Sequence, residues 1–250
     1  MSRFQKVSIV ALVLGAIIFL SGKFILFAVE IVALLSLIGL GVAFPQMQLF
    51  GNFICRGSNA KKQIALTFDD GPGANSTPQL LDLLRQDKIP AAFFCVGKKI
   101  AANPEIAAQI VREGHLLENH SYAHSNFTNF FSVERLQKEL TETQTAIQKT
   151  SGVAPRFFRP PMGLSNPRVF KAAKNLNLQV IGWSVRSLDT VLSDPKEIVA
   201  RIVRRLRPGA IILLHDGNIP AERLVATVQL LLDKLRALGY EVVRLDELLK

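Results

Sequence analysis

The hydrophobic pattern divides the chain into an apolar N-terminal part and a longer part in which short apolar runs alternate with amphipathic segments. Residues 7–20 carry no charged side chain, and residues 24–44 carry only Glu30. A helix of about 17–25 apolar residues can cross a bilayer, so the second run is long enough and the first is near the lower limit. We predict a membrane anchor over residues 1–50, made of one long tilted helix or of two helices. Glu30 is better explained as a neutral or interfacial residue than as a functional intramembrane carboxylate.

The charges around these two runs leave the orientation of the anchor open. Arg3 and Lys6 precede the first run, and Arg56, Lys61 and Lys62 follow the second. By the positive-inside rule, two spans would place both basic ends in the cytoplasm, whereas one span with a cytoplasmic N-terminus would place the rest of the chain outside. We expect an extracytoplasmic domain and keep the cytoplasmic side as the alternative. A cleaved signal peptide is disfavoured because the combined apolar region far exceeds an h-region of about 7–15 residues.

From residue 62 onward, seven short apolar runs predict β-strands, and the amphipathic segments between them predict helices. Alternation of this kind is typical of a parallel sheet. Seven strands suit either an open doubly wound sheet or a closed, TIM-like barrel. The predicted strands are residues 63–68, 91–96, 115–118, 156–158, 179–183, 210–214 and 241–245.

Four of the predicted helices start with a capping residue followed by proline. The side-chain oxygen of the first residue accepts a hydrogen bond from the helix, and proline at the next position has no N–H to lose. Ser132 begins a further long helix, which Ser151-Gly152 ends. The four capping pairs are Thr77-Pro78, Asn103-Pro104, Asn166-Pro167 and Asp194-Pro195.

Polar and titratable residues follow five of the seven predicted strands. The carboxyl ends of parallel strands lie at one rim of a sheet or barrel, so we expect these residues to meet there. They are Thr67-Phe68-Asp69-Asp70-Gly71 after the first strand, His120-Ser121-Tyr122-Ala123-His124 after the third, Arg159-Pro160-Pro161 after the fourth, Trp183 and Asp189 after the fifth, and His215-Asp216 after the sixth.

The histidines indicate a metal site at this rim. His120 and His124 are spaced i,i+4, so on a helical turn both imidazoles would project to one side and bind one ion. Two imidazoles, one carboxylate and an open position for water are the usual plan of a catalytic zinc site. His115 stands at the start of a strand, and we interpret it as structural.

The adjacent carboxylates Asp69 and Asp70 repel each other, so a cation must neutralise at least one of them. The natural division is one metal ligand and one base. A solvated turn would also explain Asp-Asp-Gly-Pro-Gly, but the histidines disfavour that interpretation. Arg159 is held between aromatic residues and prolines, and a bidentate contact to a carboxylate is its expected role.

The net charge of the 250 residues is +10, of which residues 1–50 contribute +2. This charge favours anionic surroundings such as phospholipid headgroups or envelope polymers. Nucleic acid is disfavoured because aromatic residues are not interleaved with the basic ones. With only Cys55 and Cys95, a disulfide scaffold and a Cys-rich zinc module are excluded. Arg201, Arg204, Arg205 and Arg207 lie on one amphipathic segment and are interpreted as a solvated helix face.

Together these motifs resemble the polysaccharide deacetylase family, also called the NodB-homology or carbohydrate esterase family 4 domain. The resemblance runs from about Lys62 to Leu245 and includes all five family motifs in family order. It implies an α/β fold, a distorted TIM-like (β/α)7 barrel, here preceded by the N-terminal transmembrane anchor. The predicted domain limits are therefore 1–50 for the anchor, with helices at roughly 7–20 and 24–44, 51–61 for a linker, and 62–250 for the catalytic domain.

The resemblance implies a role for each motif. Asp69 is expected to be the general base, and Asp70, His120 and His124 the metal ligands. The metal is expected to be divalent, zinc in the first place and cobalt or another divalent ion as the alternative. Arg159 is expected to orient the base.

The later motifs are expected to supply the acid and the substrate contacts. His215 would be the general acid, with Asp189 as its partner. The backbone N–H of Met162 would help to bind the oxyanion, and Leu213 would form part of the acetyl-methyl pocket. Pro160 and Trp183 complete the predicted substrate-binding residues.

The sequence departs from the family pattern at three positions of the predicted groove. Met162 stands where an aromatic residue is usual, and Arg186 and Thr190 replace the first Asp and the Trp of the fourth motif. These changes affect the wall of the groove and leave the expected ligands, acid and base in place.

We therefore predict a metal-dependent hydrolase that removes acetyl groups from N-acetylated sugars of an envelope polysaccharide such as peptidoglycan or a chitin-like oligomer. Its expected partners are the acetylated glycan and the membrane, with no nucleic acid and no evident protein partner. One alternative is a deacylase or deformylase of a lipid-linked sugar at the membrane surface. The other is a non-catalytic envelope-binding protein.

Overall fold

The computed structural model describes residues 3–250 and begins with two apolar helices, α1 (Arg3–Leu20) and α2 (Phe24–Ala43). Both are long and apolar enough to cross a membrane. The backbone N–H of Phe4 donates to the Leu49 carbonyl at 2.8 Å, so the start of α1 lies beside the chain that follows α2. The structure therefore has a helical hairpin rather than one long tilted helix.

The remaining chain forms a parallel sheet surrounded by helices. The strands are β1 (Gln63–Gly71), β2 (Ala92–Cys95), β3 (Leu116–Asn119), β4 (Phe157–Phe158), β5 (Gln179–Val180), β6 (Val185–Arg186), β7 (Ala210–His215) and β8 (Glu241–Val242). The helices are α3 (Ser76–Gln86), α4 (Gly97–Ala102), α5 (Pro104–Arg112), α6 (Val133–Ser151), α7 (Pro167–Asn175), α8 (Pro195–Arg205), α9 (Ala221–Ala237) and α10 (Leu245–Leu248).

The order of the strands requires the sheet to curl. The path runs β5-β4-β3-β2-β1-β7-β6, and β8 pairs with the start of β1. The two ends of this path, β5 and β6, are joined by residues 181–184 alone. A chain that short spans at most about 3.6 Å per residue, so the two edges must come close together. The distorted barrel expected from the sequence is confirmed.

A segment that precedes β1 lies at the gap between the two edges. Ile54 forms a bridge with Ile181 beyond β5, and Arg56 forms one with Ala210 at the start of β7. Phe53 is only 1% exposed and packs in a hydrophobic cluster that includes buried residues of helix α7. Part of the stretch predicted as a linker, residues 51–61, is therefore packed on the barrel.

The sequence missed one strand, Val185–Arg186. A two-residue strand has no measurable alternation of apolar and polar positions, and Ser184 and Ser187 flank it with polar side chains. Its position is fixed by pairing with β7, where Arg186 stands opposite Leu213. That pairing brings Arg186 to the rim where the predicted site residues lie.

Three predicted side-chain caps are confirmed. Asn166 Oδ1 accepts from the N–H groups of Arg168 and Val169 at 2.8 and 3.1 Å, as an N-cap of α7. Asp194 caps α8 in the same way, and Ser132 caps α6. Each satisfies backbone donors that the helix itself leaves free.

Two predicted caps are wrong. Helix α3 begins at Ser76, so Thr77 lies inside its first turn, where its Oγ1 accepts from the Gly73 N–H at 2.7 Å. Helix α5 does begin at Pro104 after Asn103, as expected, but the Asn103 side chain forms no capping bond, and its Nδ2 donates to the Lys99 carbonyl of α4 at 3.2 Å. Tertiary packing and the adjacent helix decide these two positions.

Candidate active site

Asp69 and Asp70 reach the rim at the end of β1, beside β7. Asp69 is in register with His215, and the β1–β2 register shifts between Asp69 and Gly71. Asp70 has φ 69°, in the left-handed region. An irregularity of this kind re-aims a side chain that would otherwise point to the opposite face. Both carboxylates therefore line one cavity.

The two predicted histidine ligands are carried by a loop, not by the helical turn that their spacing suggested. Ser121 and His124 have φ 63° and 49°, and the imidazole centroids lie 4.9 Å apart. Glu139 of α6 holds this loop, since its Oε2 accepts from the N–H groups of Tyr122 and Ala123 at 3.1 and 2.8 Å. The predicted helical turn is therefore wrong, but the two imidazoles do lie close together, as predicted.

Asp70, His120 and His124 form a group that can hold a metal ion. Their ligand atoms all lie within 4.8 Å of one another, with Asp70 Oδ1 3.2 Å from His124 Nε2 and 3.5 Å from His120 Nε2. His120 Nδ1 lies 2.7 Å from the Arg159 carbonyl, which can only accept a hydrogen bond. The proton is thereby placed on Nδ1, and the Nε2 lone pair faces the site.

The pKa shifts of Asp70 and His124 also suit a metal. Burial raises the pKa of Asp70, but the neighbouring His120 and the charges of His124 and His215 outweigh it and hold the pKa well below its usual range. Burial and the charge of His120 lower the pKa of His124. An ionised carboxylate and neutral imidazoles are the forms that bind a divalent cation. The residues present therefore fit the predicted ion.

Asp69 is held by a buried arginine. Arg159 Nη1 donates to Asp69 Oδ1 at 2.6 Å and to Thr67 Oγ1 at 2.9 Å, and Nη2 donates to the Gly182 carbonyl at 2.9 Å. The guanidinium also stacks over Phe94, 4.1 Å from the ring centroid. These contacts fix the orientation of the Asp69 carboxylate at the cavity.

His215 and Asp189 form the second paired set. His215 Nδ1 lies 2.8 Å from Asp189 Oδ1, and Asp189 Oδ2 accepts from the His215 backbone N–H at 2.8 Å. Burial lowers the pKa of His215, but the hydrogen bond and the charge of Asp189, together with the charges of Asp69 and Asp70, raise it overall. Ser187 Oγ donates to Asp189 Oδ1 at 2.7 Å and steadies the pair.

The cavity between these groups has a volume of about 210 Å³. Met162, Trp183 and Leu213, three of the four predicted substrate-binding residues, line it, as do Arg186 and Thr190. Pro160 is buried beneath the rim and does not line it. Pockets for drug-sized ligands have about 300–1,000 Å³, so this cavity suits one small group of a larger substrate.

A close contact shapes one wall of the cavity. Met162 and Gly163 both have positive φ, 58° and 67°. A Cβ at Gly163 would lie 2.1 Å from the Trp183 ring. Only glycine therefore allows the turn that carries Met162 to pack against Trp183.

Glu139 and Ser187 were not predicted from the sequence, and Asp216 was expected at the rim without an assigned role. Glu139 lies three residues after Leu136 on the buried face of α6, and an acid among apolar positions is a usable sign. No pattern in the sequence marks Ser187 as a site residue. Asp216 is fully buried, accepts from Thr77 Oγ1 at 2.5 Å, and burial raises its pKa to about 7.

Comparison with known proteins decides the family. The family model described as Polysaccharide deacetylase matches residues 56–181. A peptidoglycan-N-acetylglucosamine deacetylase of Bacillus cereus is 38% identical, over 77% of this chain and 90% of that protein. This chain belongs to the polysaccharide deacetylase family. It is a hydrolase, as the sequence resemblance implied. The family match ends at residue 181, before Asp189 and His215.

Two further relatives carry names that describe a different substrate or a loss of activity. A chitooligosaccharide deacetylase of a Bradyrhizobium species is 34% identical, over 74% of this chain and 85% of that protein. The solved structure of a family 4 pseudoenzyme from Bacillus anthracis has a TM-score of 0.74 at 29% identity, covering 80% of this chain and 69% of that one. The polysaccharide deacetylase fold alone therefore does not make a chain catalytic, and the residues at the site decide it.

Proposed function

We propose that this chain is a metal-dependent deacetylase that removes the acetyl group from N-acetylglucosamine residues of peptidoglycan, while anchored in the cytoplasmic membrane. One observation carries the proposal. The Asp70–His120–His124 group lines one cavity of about 210 Å³ together with Asp69 and His215, which are paired with Arg159 and Asp189.

Asp70, His120 and His124 would hold the ion. Two imidazoles and one carboxylate form the ligand set of many catalytic zinc sites, which supports zinc over the alternatives. When bound, such an ion lowers the pKa of a water molecule and polarises a carbonyl group. Glu139 keeps the histidine loop in place, and the Arg159 carbonyl sets the tautomer of His120.

Asp69 would act as the general base. Its Oδ1 is occupied by Arg159, and its Oδ2 lies on the side of His120, 3.8 Å from Nε2. That free oxygen can accept a proton from water as the water oxygen attacks the acetyl carbon. The Arg159 guanidinium keeps the carboxylate correctly oriented for this step.

His215 would act as the general acid. Asp189 holds its Nδ1, so Nε2 faces the cavity and carries a proton when the imidazole is charged. Breaking the carbon–nitrogen bond releases an amine, which must gain that proton to leave as a stable product. The products are acetate and the free amino sugar.

The remaining cavity residues would bind the acetamido group. Leu213 offers an apolar surface for the acetyl methyl, and the Met162 backbone N–H is the proposed donor to the developing oxyanion. Trp183 offers a flat apolar face for the sugar ring. The names of the Bacillus cereus and Bradyrhizobium relatives both support an N-acetylglucosamine-containing glycan as the substrate.

The side of the membrane separates two candidate substrates. Peptidoglycan requires an extracytoplasmic domain, which is the orientation we propose. The hairpin itself favours the second candidate, a lipid-linked acetylated sugar on the cytoplasmic face. Its domain-side ends carry Arg3, Lys6 and the basic residues after Arg56, whereas the turn between the helices carries only Lys23.

Acetate release tests the proposed activity, and cysteine labelling tests on which side of the membrane the domain lies. We expect the full-length chain in detergent to release acetate from peptidoglycan, and the Asp69→Asn variant to release far less. Metal bound without acetate release would instead favour a non-catalytic envelope-binding protein.

We expect Lys149→Cys, an exposed position on α6, to react with a membrane-impermeant maleimide in intact cells. If this variant is labelled no more than the wild-type chain, the domain lies on the cytoplasmic side, and the lipid-linked sugar becomes the favoured substrate.

A further inference from the structure

Arg186 occupies an unusual place in the cavity wall. It lies on the edge strand β6, directly opposite Leu213 in the β6–β7 register. Its side chain is exposed and lines the same cavity as His124 and His215. The positive charge of Arg186 therefore lies on the strand next to β7, which carries Leu213, the residue proposed to contact the acetyl methyl group.

The other charged groups of this cavity have partners. Asp69 is paired with Arg159, Asp70 lies between the two histidine ligands, and His215 is paired with Asp189. Among the ion pairs of residues 3–250, by contrast, none includes Arg186. Arg186 thus offers an uncompensated positive charge to whatever enters.

The backbone of Arg186 is fixed and its surroundings are basic. Arg201 Nε of α8 donates to the Arg186 carbonyl at 3.1 Å. Partial desolvation, followed by the positive charges of Arg205, Arg204 and Arg186, lowers the pKa of Arg201. The four arginines therefore form one basic patch, which reaches the cavity only through Arg186.

We propose that Arg186 determines specificity by binding a carboxylate on a sugar next to the one that is deacetylated. This inference rests on the proposed deacetylase function and narrows its substrate to acidic glycans. The planar guanidinium fork matches a carboxylate with two parallel hydrogen bonds. The neighbouring arginines of α8 add an attractive field for a polyanionic strand. Neutral chitin-like oligomers have no group to use this contact.

The test compares two acetylated tetrasaccharides of equal length. One alternates N-acetylglucosamine with N-acetylmuramic acid, whose lactyl carboxylate is free once the peptides are removed, and the other is neutral chitotetraose. The full-length chain in detergent, with zinc, is assayed for acetate, and kcat/KM is taken for each substrate. The quantity of interest is the ratio of the two values, acidic over neutral.

We expect Arg186→Ala to lower this ratio about tenfold, as for the loss of one charge-assisted hydrogen-bonded contact of about 1.4 kcal/mol. Arg186→Lys should lower it less, because the charge remains, and Arg186→Asp should lower it further. The effect should lie mainly in KM for the acidic substrate and should shrink at high salt. Arg204→Ala is the matched control, since Arg204 belongs to the same patch without lining the cavity.

The outcomes are distinguishable. A ratio that is unchanged in Arg186→Ala, or that falls equally in Arg204→Ala, would overturn the assignment to Arg186 while leaving the deacetylase activity in place. No acetate from either substrate with the wild-type chain would contradict the proposed function, and this inference with it.

Discussion

Arg159 Nη1 and Asp69 Oδ1 are 2.6 Å apart, and the two side chains are 0% and 5% exposed. A charge pair buried this deeply survives only when both partners are well hydrogen-bonded, and Arg159 has further bonds to Thr67 and Gly182. The pair ties the strand end of β4 to that of β1. It thereby links the architecture of the barrel to the orientation of the proposed base.

Replacing the base separates chemistry from metal binding. We expect Asp69→Asn to lower kcat by about 10²–10⁴-fold, because the amide cannot accept the proton of water. The Asn Oδ1 can still accept from Arg159, so the fold and the bound metal should be retained. Acetate release and metal content are measured on the same sample. Wild-type kcat in this variant would remove the role assigned to Asp69.

Removing one imidazole should remove the ion. We expect His124→Ala to lose stoichiometric metal, as measured by elemental analysis, and to lose activity with it. The control is His115→Gln, at the opposite end of β3 from His120. His115 Nδ1 accepts from the Ala91 N–H at 3.2 Å, so this variant should lose stability but keep its metal. Metal retained in His124→Ala would contradict the ligand set.

The His215–Asp189 pair predicts a pH dependence. The pKa of His215 is raised above its ordinary value, and the charged form is the acid. The rate should therefore be sustained below that raised pKa and fall as the pH rises through it. In Asp189→Asn the pKa of His215 should drop, which moves the alkaline limb of kcat/KM to lower pH. An alkaline limb that does not move would show that another group provides it.

Glu118 makes a prediction for stability that is independent of the site. Burial raises its pKa to about 8, although its Oε2 accepts from the N–H groups of Arg156 and Phe157 at 2.9 and 2.8 Å. Since the unfolded carboxyl ionises near 4.5, folded-state stability falls as the pH rises from about 4.5 to about 8. Glu118→Gln keeps the acceptor and removes this loss.

We therefore expect the Glu118→Gln variant to gain in Tm over wild type across that pH window, and the gain to level off above about pH 8. Thermal unfolding at several pH values checks it. A constant difference at all pH values would mean that the pKa of Glu118 is the same in the folded and the unfolded chain.

The sequence was most informative where the chemistry is local. Asn166, Asp194 and Ser132 cap their helices as predicted, since each of these three caps needs only the backbone of the residues that follow it. The strand-end residues also converge as expected, because parallel topology alone brings carboxyl ends to one rim. Arg159 was expected to make a bidentate contact to a carboxylate; it does contact Asp69, but through Nη1 alone, because Nη2 donates to the Gly182 carbonyl.

The parts that could not be predicted depend on distant contacts. The loop that carries His120 and His124 takes its shape from Glu139 on another element, which no local pattern reveals. Strand β6 is defined only by its partner β7. Thr77 bonds Asp216, which lies far along the chain, instead of capping its own helix.

The most direct test of the central claim is acetate release from peptidoglycan before chelation, after chelation, and after zinc is returned. The account predicts that the chelated full-length chain is inactive and that about one equivalent of zinc restores the rate. It also predicts that the Asp69→Asn variant binds the same equivalent without recovering activity. Acetate release that persists in the fully metal-free chain would contradict the account, because the Asp70–His120–His124 group would then have no part in the chemistry.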